Sequence, residues 1–221
     1  MLWFEPISVF DLVLKGALVG MIASAPMGPV GVLCIQRTLN KGRMFGLVTG
    51  LGAALSDIIY ALVTGFGMSF VVDFIEDRTN MFYLQLAGSI MLFIFGLYTF
   101  RSRPARTIQH PSKSKGTLLH NFVTGFLLTF SNPLIIFLFV ALFARVAFVV
   151  PEHIFEQSVG YLAVFGGALL WWFLLTLLVD KLREKFDDRG VWIINRIIGV
   201  VVIIVSIVGF VLTLTGIYSL H

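Results

Sequence analysis

Three short stretches of this sequence carry residues whose type and position could do chemistry. Asp57 lies near the centre of an apolar run, 13 residues from Met44 and 15 from Val72. "SAPMGPVGVL" at 24–33 and "SNP" at 131–133 each interrupt another apolar run with proline. A carboxylate at the middle of a bilayer costs about 2.5–3.5 kcal/mol on insertion scales, so it must face the protein interior or a wet cavity. At helical spacing its neighbours are Gly50, Ala53, Ala54, Tyr60, Ala61 and Thr64, while Leu51, Leu55, Ile58, Leu62 and Phe66 fall on the other side. A small, polar stripe thus turns Asp57 inward. There it could bind an amine, carry a proton, or be hydrogen-bonded for packing alone.

The breaks offer the complementary chemistry. Pro29 cannot donate to the carbonyl four residues back, and Gly28 can take conformations closed to other residues. A helix resuming at about Val30 would leave its first amides unpaired at mid-membrane. Such an end carries partial positive charge and suits a carboxylate. Asn132 and Pro133 repeat the device, with Thr129 and Ser131 adding hydroxyls and Asn132 able to cap a helix or ligate. Taken singly, either break could be a simple proline kink. Gln36 with Asn40, Tyr60, Gln85 with Ser89, and Asn195 are secondary candidates that also suit helix–helix contact. Gly16-xxx-Gly20 and Gly46-xxx-Gly50 permit close helix approach, and Trp171 and Trp172 read as packing, with lining of a pathway as the lesser alternative.

Other chemistries lack their residues. All four histidines fall in connections or at segment ends, and the one cysteine, Cys34, reads as a buried small hydrophobe. No metal-ligand cluster, H-E-x-x-H, P-loop or dinucleotide fingerprint occurs, so neither metal nor cofactor is expected. Any uphill work would need an ion gradient or a coupled solute.

The elements that must position these groups are membrane helices. The chain is 58% hydrophobic and 13% charged over 221 residues, with a mean hydropathy of +0.95, against roughly 25% charged in soluble domains. Apolar segments run over about 7–36, 44–72, 81–100, 118–150, 154–179 and 191–217. Each is long enough to cross a core of roughly 30 Å as a helix. "ASA" at 23–25 resembles a signal-peptidase site, but Glu5, Asp11 and Lys15 do not fit a leader, so the segment is expected to stay in the mature chain.

Thirteen of the 16 basic residues lie in the 1–2 and 3–4 connections and around the 5–6 connection. By the positive-inside rule these three face the cytoplasm and the C-terminus lies outside; basic residues so placed reflect topology and not nucleic-acid binding. The side of the N-terminus stays open, because a broken first segment could re-enter. The basic linker 101–117 separates two halves of three segments, about 1–100 and 118–221, within one transmembrane domain. Segments 1 and 4 both carry proline breaks, and "TGLGAALSD" at 49–57 parallels "VFGGALLWW" at 164–172. Three spans per half force opposite orientations. The expected fold is therefore an all-α integral membrane protein of six transmembrane helices, built as two inverted three-helix repeats with helices 1 and 4 broken.

The run 24–67 resembles the signature of the LysE/RhtB family of amino-acid exporters, through Pro26, Gly28 and Pro29, through Gly42 and Arg43, and through Ser56 and Asp57. "GFLLTFSNPLIIFLFVALFA" at 125–144 resembles the family's Asn-Pro segment and "NRIIG" at 195–199 its last helix start. Met27 is inserted in the first motif, and Ser56 stands where Gly is usual, which points to a divergent branch. The resemblance implies gradient-driven export of amino acids or close derivatives from the plasma membrane. Asp57, Pro26, Gly28, Pro29, Asn132, Pro133, Ser131, Tyr60 and Gln36 are the expected substrate or coupling-ion residues. The expected partners are the substrate, a coupling proton or cation, the bilayer and a possible homo-oligomer. A metal-cation exporter, a membrane scaffold and a membrane-embedded enzyme are the competing readings. The shortage of deep acids speaks against the first, and the lack of a nucleophile–base pair against the last.

Overall fold

The computed structural model describes residues 9–26, 28–69, 78–101, 116–132, 134–146, 148, 153–182 and 188–215. Met27, Pro133 and most of the basic linker lie outside them. The described residues form eight helices and no strand: α1 (Val9–Ser24), α2 (Pro29–Lys41), α3 (Arg43–Ser69), α4 (Arg78–Arg101), α5 (Leu118–Phe130), α6 (Leu134–Val146), α7 (Ile154–Lys181) and α8 (Asp188–Leu214).

Four of them hold stretches long and apolar enough to cross a membrane alone: Arg43–Met68, Phe82–Arg101, Ile154–Lys181 and Trp192–Leu214. The other four form two bent pairs, α1 with α2 at 82° and α5 with α6 at 71°, each pair apolar enough for one further span. The outer faces agree with a lipid surround. On α8, Ile197, Val201, Ile204 and Val208 are all exposed; such a stripe is costly in water and neutral in hydrocarbon.

Local chemistry accounts for the breaks. Gly28 is the N-cap of α2, in extended conformation, and its N–H donates to the Pro26 carbonyl at 2.8 Å. Pro29 opens α2 at the position where a missing N–H costs no hydrogen bond. The α2–α3 corner needs glycine for a different reason: Gly42 has φ of 103° while its N–H donates to the Thr38 carbonyl, a left-handed geometry that a Cβ disfavours.

Packing is carried by small residues, as expected where lipid removes the hydrophobic drive between helices. α1 lies along α7, with Gly16 and Gly20 facing the Gly160 and Val164 carbonyls and Gly167 facing that of Ala17. α5 lies along α3 in the same manner, with Gly52 against the Phe122 carbonyl and Gly125 against that of Thr49. α3 packs along α7, with Gly50 against Trp172 and Gly65 against Tyr161, and α4 pairs with α8. The short helices differ: α2 packs chiefly on α3, whereas α6 packs chiefly on α4.

At the end of the bundle where α3 and α6 finish and α7 begins, aromatic rings close the core. Phe143 stacks on Phe148 at 4.4 Å between centroids, and Tyr161 meets Phe148 edge-on at 5.7 Å. Lys15, which interrupts the first apolar run, donates to Asp11 one turn earlier at 2.6 Å.

Candidate functional site

Asp57 sits midway along α3 and is buried, as are Gly50, Ala53, Ala54, Ala61 and Thr64, while Leu51, Leu55 and Phe66 are exposed. The inward stripe expected from helical spacing therefore exists around Asp57, whereas Tyr60, expected inside, and Ile58 and Leu62, expected outside, are all half-buried against the core. The Ser24 hydroxyl, at the last residue of α1, donates to Asp57 Oδ2 at 2.7 Å. The carboxylate is thereby tied to the lip of the first break.

Both breaks and Asp57 border one cavity of about 430 Å³. Ser24, Pro26, Gly28 and Pro29 line it from the first break, followed by Val30 and Gly31 from the first turn of α2. The amides of Val30 and Gly31 belong to the opening turn of a helix, where no intrahelical carbonyl is in reach, and Gly28 supplies no side-chain cap. Among the described residues neither N–H has a hydrogen-bond partner, so both can serve a solute. Thr129, Ser131 and Asn132 line the cavity from the second break.

The hydroxyls there have other duties. Thr129 Oγ1 donates to the Gly125 carbonyl at 3.0 Å and Ser131 Oγ to that of Leu127 at 2.7 Å. Each retains lone pairs and no spare proton, so toward a solute they act as acceptors. The Asn132 carbonyl accepts from the Ile135 N–H at 3.2 Å, which starts α6. Pro133 lies outside the described residues.

Two expected site residues stand elsewhere. Tyr60 does not border the cavity; its hydroxyl donates to the Phe130 carbonyl at 2.6 Å, and its ring lies 5.7 Å from that of Phe130. It braces the end of α5 just before the second break. Gln36 lies about two turns beyond Pro29 on α2, also away from the cavity.

The remaining walls come from α4, α7 and α8, for which the sequence offered Asn195 as a secondary candidate and Trp172 as packing or a pathway lining. α4 contributes Phe95, Tyr98 and Thr99, α7 contributes Trp172 and α8 contributes Asn195. Thr99 and Trp172 are each 3% exposed, and neither the Thr99 hydroxyl nor the Trp172 indole N–H has a hydrogen-bond partner among the described residues. One sequence signal points to Trp172: aligning 49–57 with 164–172 sets it opposite Asp57. Nothing comparable marks Thr99. The α4 residues lie in its last two turns and Asn195 in the second turn of α8, so the cavity occupies the half of the bundle that carries the basic connections. The aromatic cluster around Phe143 and Tyr161 fills the other half. Among the described residues no group of three or more His, Cys, Asp or Glu gathers.

Toward the same basic end, Arg37 of α2 is buried and reaches two other helices. It donates to Thr49 Oγ1 at 2.9 Å, to the Asn121 carbonyl at 3.0 Å and to Thr124 Oγ1 at 2.7 Å. Arg43 lies over the Phe173 ring at 4.4 Å.

Two known proteins resemble this chain in sequence. A Bacillus subtilis (strain 168) protein named "Putative amino acid efflux protein YcgF" is 24% identical over 212 residues, covering 95% of this chain and 99% of that one. An Escherichia coli (strain K12) protein named "Uncharacterized membrane protein YahN" is 26% identical over 113 residues, about half of each chain. No solved structure matches. The family model for LysE type translocators matches residues 21–214, which include both breaks, Asp57 and every cavity residue named above, and the chain belongs to that family.

Proposed function

We propose that this protein is a secondary transporter that exports amino acids or closely related small solutes across the plasma membrane, driven by a gradient. The observation that carries the reading is the meeting of two helix breaks and one buried carboxylate at a single cavity. An amino acid brings an amine and a carboxylate, and the cavity offers a partner to each. In this reading Asp57, oriented by Ser24, binds the amine or carries a coupling proton. The Val30 and Gly31 amides, with Asn132, hold the carboxylate, as helix N-termini at mid-membrane do for anionic groups.

The architecture is read as six spans in two inverted repeats. The paired contacts of α1 with α7 and of α5 with α3, through glycines at matching places, support it. The unequal packing of α2 and α6 is then the difference between halves that a single access state requires. With the basic connections in the cytoplasm, the cavity takes solute from inside while the aromatic cluster bars the outside, the state in which an exporter loads.

The test is efflux from proteoliposomes loaded with a mixture of labelled amino acids under an imposed proton or sodium gradient. Export is expected with the native protein and absent with Asp57→Asn. Gradient-driven export retained by Asp57→Asn would remove Asp57 from the mechanism.

A further inference from the structure

The charge inventory of the cavity carries a statement about which amino acids fit it, and this statement rests on the exporter reading above. Among the described residues that line the cavity, Asp57 is the one ionisable acid, and no lysine, arginine or histidine accompanies it. Most of the remaining surface is apolar or aromatic, with Phe95, Tyr98, Leu128, Ile135, Leu138 and Trp172 its bulky contributors. One acid and the helix-end amides of Val30 and Gly31 match one amine and one carboxylate; the polar groups that remain, Thr99 and Trp172 among them, are uncharged and meet no third charge.

We infer that the solute is an amino acid with a single amine, a single carboxylate and an uncharged side chain. Lysine or arginine would set a second cation against the apolar wall with no second acid to meet it. Glutamate or aspartate would bring a second anion into a cavity that already holds Asp57 and offers no cation. Burying an unpaired charge is far more costly than leaving a methylene poorly packed. The site is therefore strict about side-chain charge.

Counterflow with the full-length protein in liposomes tests this, because exchange of labelled for unlabelled solute needs no knowledge of the coupling ion. Norleucine and lysine form the decisive pair, since norleucine is lysine without its terminal amine. Leucine and aspartate form a second pair of similar size. Vesicles preloaded with norleucine or leucine are expected to take up the same labelled amino acid at least about tenfold faster than those preloaded with lysine or aspartate take up theirs. Lysine or aspartate exchanging as fast as its neutral counterpart would overturn the inference and leave the exporter reading standing. Exchange of no amino acid, charged or neutral, would overturn both. A second arm uses Leu128→Glu, which adds an acid at an exposed position that borders the cavity. The ratio of lysine to norleucine exchange is expected to rise; an unchanged ratio would refute the claim that the number of carboxylates sets the class.

Discussion

Ser24 and Asp57, 33 residues apart in the chain, are joined by a hydrogen bond of 2.7 Å at the point where α1 ends and the first break begins. The contact links the acid on an unbroken helix to the segment that must change direction beside it. A hydroxyl donor to a carboxylate contributes about 1.5–3 kcal/mol, so in the transport reading Ser24 sets where the Asp57 oxygen points.

Ser24→Ala is expected to weaken solute binding by about tenfold or more, with Ser24→Thr restoring most of it because the hydroxyl returns. The apparent affinity in counterflow is the measurement. A Ser24→Ala protein with native affinity would mean that the orientation of Asp57 does not matter to the solute.

Two glycines of the first bent pair should respond in opposite ways. A Cβ at Gly20 would collide with the Val164 carbonyl, which is backbone and cannot step aside, whereas a Cβ at Gly28 meets nothing within 4 Å. Gly20→Ala should separate α1 from α7 and lower the melting temperature in detergent by several degrees. Gly28→Ala should leave it unchanged, since φ of −71° suits alanine. Equal melting of the two variants would contradict the close α1–α7 contact.

Tyr60→Phe removes the hydroxyl that donates to the Phe130 carbonyl at 2.6 Å and leaves the ring contact in place. The expected loss is about 1 kcal/mol of stability. Because Tyr60 borders no part of the cavity, solute selectivity should be unchanged. A shift in the order of preferred amino acids would place the hydroxyl nearer the solute than the structure has it.

Arg37 looks indispensable from its three hydrogen bonds, yet all its partners are acceptors with other bonds. Thr49 Oγ1 also donates to the Phe45 carbonyl, Thr124 Oγ1 also donates to that of His120, and the Asn121 carbonyl also accepts from Thr124 Oγ1. Arg37→Met, which keeps the length and removes a buried charge, strands no donor. It should cost no more than about 1 kcal/mol. Thermal melting of the purified variant decides this, and a loss of several times that amount would mean that the guanidinium holds α2 to α3 and α5 in a way its hydrogen bonds do not account for.

Much of this molecule can be read from composition and local chemistry. Apolar runs of span length, prolines that remove amide donors, a glycine at the α2–α3 corner and a deep carboxylate on a small-residue stripe are properties of single segments. Helical periodicity alone turns Asp57 inward, and the structure agrees. Other relationships arise only between segments. Helical periodicity does not say that Ser24 is the partner of Asp57, that Thr99, Trp172 and Asn195 share its cavity, or that Tyr60 braces the second break from outside the site. The physical reason is the solvent. In water, apolar contrast tells a helix which face to bury and leaves few ways to pack it. In lipid the surround is as apolar as the interior, and the choice of neighbour passes to where two backbones can approach through glycine, as α1 does on α7 and α5 on α3. That complementarity belongs to pairs of helices far apart in the chain, and the tertiary structure decided it.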